Sequence, residues 1–343
     1  EIERLRLSAT RSLLERRDVI VVSSVSCIYS LGSPQEWRAM TVMLTVGDEI
    51  DRSALFADLI NIQYERNDIE PSQGTFRSKG DTIEIFPAQE KRGIRIELFG
   101  DEIDRIAYFE PLTGKVQEEL GMGETLAIYP AKHFVMPQEY IDRALVEIEE
   151  ELQEQLARLR AENKLLEAQR LEQRTKFDME MIKELGYCSG IENYSRHFDG
   201  RKPGEPPSSL LDFFPEDYLM VIDESHVTIP QIRGMYNGDR ARKESLVTYG
   251  FRLPSALDNR PLKYDEFAKH INTVIYVSAT PAEYEVEMSK FVVEQIIRPT
   301  GLVDPQIAIR PVENQVDDLI GEVSRVTAKG YRTLVTTLTK RMA

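Results

Sequence analysis

Disulfide bridges, metal clusters and membrane spans all want for residues in this sequence. Its only cysteines, Cys27 and Cys188, lie far apart in no Cys-x-x-Cys or histidine-paired spacing. They read as two buried thiols of a reducing cytoplasm, not as a bridge or a zinc site. The four histidines, His133, His197, His226 and His270, are scattered and form no zinc pattern. No run of about 18 apolar residues occurs, so no membrane-spanning helix is expected. Positive charge is in deficit as well: 43 Lys and Arg stand against 58 Asp and Glu, a formal net charge of −15. That is the wrong sign for binding DNA by bulk charge. Any nucleic-acid contact must use a local basic groove, shape reading, or a part of the protein outside this sequence.

A phosphate-binding loop is missing too. No GxxxxGK followed by Ser or Thr is present, and the nearest match, Thr113-Gly114-Lys115-Val116, lacks the leading Gly spacing and the hydroxyl. The chain opens on Glu1-Ile2-Glu3-Arg4-Leu5-Arg6, with no Met and no signal-like apolar region, in mid-pattern for a helix. It stops as abruptly at Lys340-Arg341-Met342-Ala343. It is therefore expected to be a central piece of a longer, non-secreted protein, and unable to hydrolyse ATP alone.

What is present is an ordinary, well-cored composition, 41% apolar and 29% charged over 343 residues, which suits two or three domains. Residues 1–17 read as an amphipathic helix. Val19-Ile20-Val21-Val22, Tyr218-Leu219-Met220-Val221-Ile222, Thr273-Val274-Ile275-Tyr276-Val277 and Thr333-Leu334-Val335-Thr336-Thr337 read as strands buried on both faces. Such strands separated by helical stretches imply parallel sheet in α/β layers. Between 40 and 132 the texture changes to short alternating runs such as Thr82-Ile83-Glu84-Ile85-Phe86, cut by glycine turns. That spacing predicts a small antiparallel β-rich domain. From 138 to 186 one apolar stripe runs through Ile141, Leu145, Ile148, Leu152, Leu156 and Leu159, and a second through Leu165, Leu166, Leu171, Phe177, Met181 and Leu185. A break at 161–164 makes a helical hairpin fit better than a coiled coil. A Gly/Pro-rich loop follows at 200–207, and the single Trp37 is expected in an interdomain seam.

Two strand ends carry chemistry. Val221-Ile222-Asp223-Glu224-Ser225-His226 places two carboxylates at the C-terminal end of an apolar strand, the edge at which open α/β sheets bind ligands. Asp223 is suited to hold Mg²⁺ through water beside nucleotide phosphates, and Glu224 to orient or deprotonate an attacking water. His226 would link this site to neighbouring segments. The alternative is a solvated turn. Val277-Ser278-Ala279-Thr280-Pro281 follows the next such strand, and the Ser278 and Thr280 hydroxyls suit a nucleotide-sensing switch. In this order the pair looks like motifs II and III of superfamily 2 helicases. Tyr236, Arg240, Arg242, Lys243, Arg252 and Arg260 form the densest basic and aromatic cluster, placed to line a DNA path. The alternative is an internal salt-bridge network with Asp239, Asp258 and Glu244.

Longer runs resemble the UvrB family of bacterial nucleotide excision repair. Among them are Gly190-Ile191-Glu192-Asn193-Tyr194-Ser195-Arg196, Gly234-Met235-Tyr236-Asn237-Gly238-Asp239-Arg240 and Tyr249-Gly250-Phe251-Arg252-Leu253-Pro254-Ser255. The likeness covers essentially the whole chain. It implies an α/β fold, an incomplete RecA-like P-loop helicase core with two insertions. The parts are 1–39 in the first helicase domain, 40–132 as a β-rich UvrA-interaction domain, 133–214 as a helical insertion, 215–301 back in the first domain, and 302–343 opening a second. It implies ATP-dependent verification of damaged DNA, with ATP and Mg²⁺ as cofactors, loading by UvrA and recruitment of UvrC through a region beyond this sequence. Arg66, Arg77, Lys79 and Glu97 fall on positions of the UvrA interface, where Arg makes bidentate contacts to carboxylates. Ser30 stands where the family usually has Gly, which would strain a backbone at positive φ. Two rival readings remain: a UvrA-binding module without a nucleotide site, as in transcription-repair coupling factor, and a generic superfamily 2 helicase.

Overall fold

The computed structural model describes residues 1–297, 301 and 303–342, in which the chain is a mixed α/β protein. It divides into two compact units, Glu1–Met288 and Ser289–Ala343. The expected boundary after Gly301 touches Arg298, Pro299, Thr300 and Leu302, which lie outside the described residues.

The larger unit begins with helix α1 (Ile2–Glu15), whose buried stripe is Leu7, Thr10 and Leu13. Helix α2 (Pro34–Ala39) starts where the sequence dictates: the Ser33 hydroxyl accepts from the Glu36 N–H, and Pro34 occupies the first turn. It carries Trp37, fully buried against Leu7, Leu13, Tyr129 and Phe213, its Nε1–H donating to the Lys132 carbonyl (3.0 Å). Trp37 thus sits in a seam between distant chain segments, as its solitary apolar bulk suggests. Residues 19–22 form no strand. Val19 and Val21 lean on the Trp37 cluster, while Ile20 and Val22 are 92% and 95% exposed. No neighbouring strand pairs this run among the described residues, and composition alone cannot supply one. Ser30 avoids positive φ, so its backbone carries none of the strain considered for it.

The chain enters and leaves the β-rich region side by side, through β1 (Val42–Thr45) and its antiparallel partner near the exit. Helix α3 (Arg52–Asn61) is capped by Asp51, whose carboxylate accepts from the Ser53 and Ala54 N–H groups. Then come β2 (Glu65–Arg66), β3 (Thr75–Lys79), β4 (Thr82–Phe86), β5 (Gly93–Phe99), β6 (Glu102–Phe109) and β7 (Val116–Glu119), which form one sheet in that order. All neighbours are antiparallel except β2 and β3. The exit strand β8 (Thr125–Ile128) pairs Ile128 with Val42. Strict alternation assigns the faces. Phe76, Ile83, Ile85, Ile94, Ile96 and Ile106 pack on Leu55 and Leu59 of α3, and the intervening positions are largely charged.

Helices α4 (Gln138–Ala161) and α5 (Leu165–Leu185) form the expected hairpin, broken at 162–164 with Asn163 at φ +57°. The α4 stripe is as read. The α5 stripe is not: Leu165, Leu166, Phe177 and Leu185 are exposed, and Ala168, Leu171, Thr175, Asp178 and Ile182 face the core. The buried Asp178 and Tyr194 bond each other on that face (2.8 Å), and the partly exposed Arg174 donates to Asp178 (2.9 Å). The short α6 (Ser195–Phe198) packs on α4.

Strand β9 (Leu219–Ile222), helix α7 (Ser225–Thr248), helix α8 (Tyr264–Lys269) and strand β10 (Thr273–Tyr276) follow. β9 and β10 are parallel, in register from Leu219↔Thr273 to Ile222↔Tyr276. They are not buried on both faces. Met220 and Ile222 pack on Ile229, Ile232 and Phe267, but Leu219, Val221 and Ile275 are exposed, because only one helical layer covers this pair among the described residues. Helix α9 (Glu283–Met288) ends the unit. In the smaller unit, helix α10 (Gln315–Thr327) starts acidic at Asp317 and Asp318 and buries none of its residues. Residues 333–337 form no strand there, as no partner strand exists among the unit's described residues.

Candidate functional site

The two strand-end motifs meet. The ladder continues past the strands, with the Val277 N–H on the Ile222 carbonyl (2.9 Å) and the Ser225 N–H on the Val277 carbonyl (3.0 Å). These bonds set Asp223 and Glu224 beside residues 278–280. Glu224 occupies the left-handed region (φ +44°) at the start of α7. For a residue with a Cβ that conformation costs about 1–2 kcal/mol, and such outliers cluster at functional sites. The Ser278 hydroxyl lies 2.8 Å from His226 Nδ1, Glu224 Oε2 lies 3.5 Å from the same nitrogen, and the Thr280 N–H donates to Ser278 Oγ (3.1 Å). The Asp223 carbonyl accepts from the Thr228 hydroxyl (2.8 Å), while its carboxylate accepts, among the described residues, only the Glu224 N–H (3.0 Å). Both carboxylates are exposed, and neither pairs with Lys or Arg among the described residues. Two hard oxygen donors whose only basic neighbour among the described residues is the His226 ring beside Glu224 suit a water-mediated Mg²⁺. Sequence reading passed over Ser225, fully buried with an unpartnered Oγ.

The basic cluster does not present one surface. Lys243 is buried on Asp239 (2.9 Å), and burial pulls its ammonium pKa below the usual range despite that partner. Arg260 is buried too, bonded to Glu266 (2.6 and 2.8 Å) and to the Gly204 carbonyl (2.9 Å), with Tyr236 under its guanidinium. Lys243 and Arg260 are therefore structural in this arrangement and correct the expectation of six DNA contacts. Arg240 is held by Glu244 (2.7 Å). Arg242 keeps most of its exposure beside Asp239 (3.3 Å), and Arg252 bonds the Phe251 carbonyl (2.9 Å).

On the six-stranded sheet, Arg77, Lys79 and Glu97 share the face opposite the core. With Thr82, Glu84 and Arg95 they line a cleft of about 320 Å³. Glu84 bridges Arg77 (2.5 Å) and Arg95 (2.8 Å), and Glu97 faces Arg105 (3.5 Å). Arg66 is elsewhere: it pairs with Asp68 (3.0 Å) and stands over the Phe56 ring (5.4 Å), which packs on Phe76 of the core face. Thr82, Glu84 and Arg95 were not singled out from the sequence, though their alternation with the core residues Ile83, Ile85, Ile94 and Ile96 would have placed them on the outer face.

Comparison with known proteins places these features in one family. Residues 42–134 match the UvrB interaction domain, and residues 139–200 match the UvrB third helical domain. Along its whole length the chain is 73% identical to the UvrABC system protein B of Methanococcoides burtonii, 61% to that of Enterococcus faecalis and 62% to that of Geobacillus kaustophilus. It covers 52%, 51% and 52% of those proteins, so the chain spans about half the length of the curated relatives it matches. With identity of this order along the whole chain and both UvrB domain types in sequence, the chain belongs to the UvrB family.

Proposed function

We propose that the protein serves nucleotide excision repair as an ATP-driven verifier of damaged DNA, loaded by UvrA and passing the site to the nuclease UvrC. The observation that carries this reading is the meeting of Asp223 and Glu224 with Ser278 and Thr280 at adjacent parallel strand ends, joined through His226. In it, residues 1–39 and 215–301 belong to a RecA-like helicase domain, 40–132 and 133–214 are its insertions, and 302–343 open a second helicase domain.

Asp223 would hold Mg²⁺ through water, and Glu224 would orient the attacking water and take its proton. Bound Mg²⁺ supplies neutralisation of the nucleotide phosphates. His226, hydrogen-bonded to Ser278, ties the acidic pair to the second strand end, so a shift of residues 278–280 is felt at Glu224. Arg242, Arg252 and Tyr236 remain for the DNA backbone, with Arg240 once it leaves Glu244. UvrA would dock on the charged face of the sheet, through Arg77, Lys79 and Glu97, with Arg66 at the edge.

Calorimetric titration of the chain with UvrA tests the reading, alongside Arg77→Glu and Glu97→Arg. Binding that either reversal weakens tenfold, about 1.4 kcal/mol, supports it. A well-folded chain with no affinity for UvrA removes the assignment of 40–132 and leaves a helicase core with an insertion of other purpose.

A further inference from the structure

Helix α7 starts at the Asp223-Glu224 strand end, and His226 and Arg233 follow on it about two helical turns apart, so both side chains leave the helix on the same flank. Residues 277–284, which carry Ser278 and Thr280, meet that flank at two points. At the start of the segment the Ser278 hydroxyl lies 2.8 Å from His226 Nδ1. At its end the Arg233 guanidinium stands over the Tyr284 ring of α9 and over the Tyr264 ring of α8, 4.5 Å from each centroid. The two tyrosines meet edge to face (6.0 Å), and Tyr276, the last residue of β10, sets a third ring against Tyr284 (6.4 Å).

The segment has little packing of its own. Residues 279–283 are exposed, and α9 buries Glu285 alone of its six residues. Arg233 is exposed and forms no ion pair among the described residues, so the two rings are what place its guanidinium, by cation–π attraction. A single hydrogen bond open to water contributes little net, so Ser278 stays on His226 only if the rest of the segment is fastened.

We infer that Arg233 is a positioning residue for the strand-end site: held between Tyr264 and Tyr284, it fixes the far end of 277–284 on α7 and so keeps Ser278 on His226, whose ring meets Glu224 (3.5 Å). The inference rests on the reading of Asp223 and Glu224 as the nucleotide site, and Arg233 acts on that site through the segment.

The test is NMR of the 343-residue chain with ¹⁵N-labelled histidine rings at one fixed pH, the His226 signal being assigned from His226→Gln. Ser278→Ala sets the scale, the displacement of the Nδ1 signal when the partner hydroxyl is gone. Arg233→Ala is expected to move that signal the same way by about half as much or more, and Arg233→Lys, which keeps a cation over the rings, to return most of it. Tyr284→Leu should reproduce the Arg233→Ala displacement and add nothing in combination with it. His133 beside Trp37 and His197 on α6 should keep their signals in every variant, which separates a moved segment from a loosened fold. A His226 signal unmoved in Arg233→Ala or Tyr284→Leu, moved only together with those of His133 and His197, or not returned at all by lysine overturns the proposal and leaves the strand-end reading standing. A His226 signal unmoved in Ser278→Ala overturns both, because the two strand ends then do not meet.

Discussion

Replacing Glu84 by glutamine asks whether the charged face of the sheet is a built structure or a scatter of surface ions. Glu84 is 7% exposed and takes Arg77 on one oxygen and Arg95 on the other. The two guanidiniums stand over Phe86 (5.8 Å) and Phe109 (4.6 Å). Glutamine keeps the shape and one acceptor but removes the charge, so two cations face each other across β4. Losing one partner of a wholly buried pair costs about 3–5 kcal/mol. Here the arginine side chains are 24% and 23% exposed, and water screens part of the repulsion. The expected loss is about 2 kcal/mol, roughly thirtyfold in the folding equilibrium. Urea unfolding followed by Trp37 fluorescence reads it. Trp37 is the sole tryptophan and stacks on Tyr129, next to the exit strand of this region. The midpoint should fall with the slope unchanged. Arg77→Met combined with Glu84→Gln should show a coupling of at least ~1 kcal/mol. A loss under ~0.5 kcal/mol with additive single effects would mean that the bridge contributes nothing and the reasoning is wrong.

Three further outcomes are expected. Gly250 sits at φ +68°, and a Cβ there would lie 2.3 Å from the Glu167 carbonyl oxygen. Gly250→Ala should therefore cost about 2–4 kcal/mol and speed hydrogen exchange where α5 meets the end of α7, and unchanged exchange would mean that the contact is not rigid. Burial alone would raise the Glu151 carboxyl, but His197, Ser255 and Arg196 outweigh it and hold the pKa below its usual 4.5. A carboxylate lowered in the folded state stabilises above the unfolded pKa and loses that contribution as pH falls through the folded one. Thermal stability should thus drop as pH falls below the usual carboxyl value of 4.5, less steeply in Glu151→Gln, and equal slopes would contradict this. Without a GxxxxGK loop the 343-residue chain is expected to show no ATP turnover, and turnover by highly purified chain that disappears in Glu224→Gln would contradict that.

Local periodicity was legible and long-range partnership was not. The α4 stripe and the alternation of β4 and β5 follow from side-chain direction alone, and the chain itself supplies the partner a few residues away. Residues 19–22 and 333–337 have the composition of buried strands, but a strand needs a neighbour, and none pairs with them among the described residues. The α5 stripe failed for another reason. Its core face includes Thr175 and Asp178, and the apolar signal moved to the exposed Leu165, Leu166 and Phe177. Asp178 bonds Arg174 and Tyr194, and a buried polar cluster of this kind has no signature in hydropathy.

The basic cluster after the Asp223-Glu224 motif shows how far sequence could have gone. Asp239 precedes Arg242 by three residues and Lys243 by four, and Arg240 precedes Glu244 by four. On a helix these spacings make ion pairs, so three of the six candidate DNA contacts already had partners within reach. Arg260 carries no such warning, because it meets Glu266 through the turn that opens α8 and the Gly204 carbonyl across a loop. The excess of acid over base works the same way. Many of the arginines are paired locally, which leaves the surplus carboxylates to shape the surface. Among the described residues Glu150 and Glu154 on α4, and Asp223 at the strand end, are acids with no basic partner, and Glu224 meets only the His226 ring (3.5 Å). At these places, among the described residues, the charges left without a counter-ion are therefore negative.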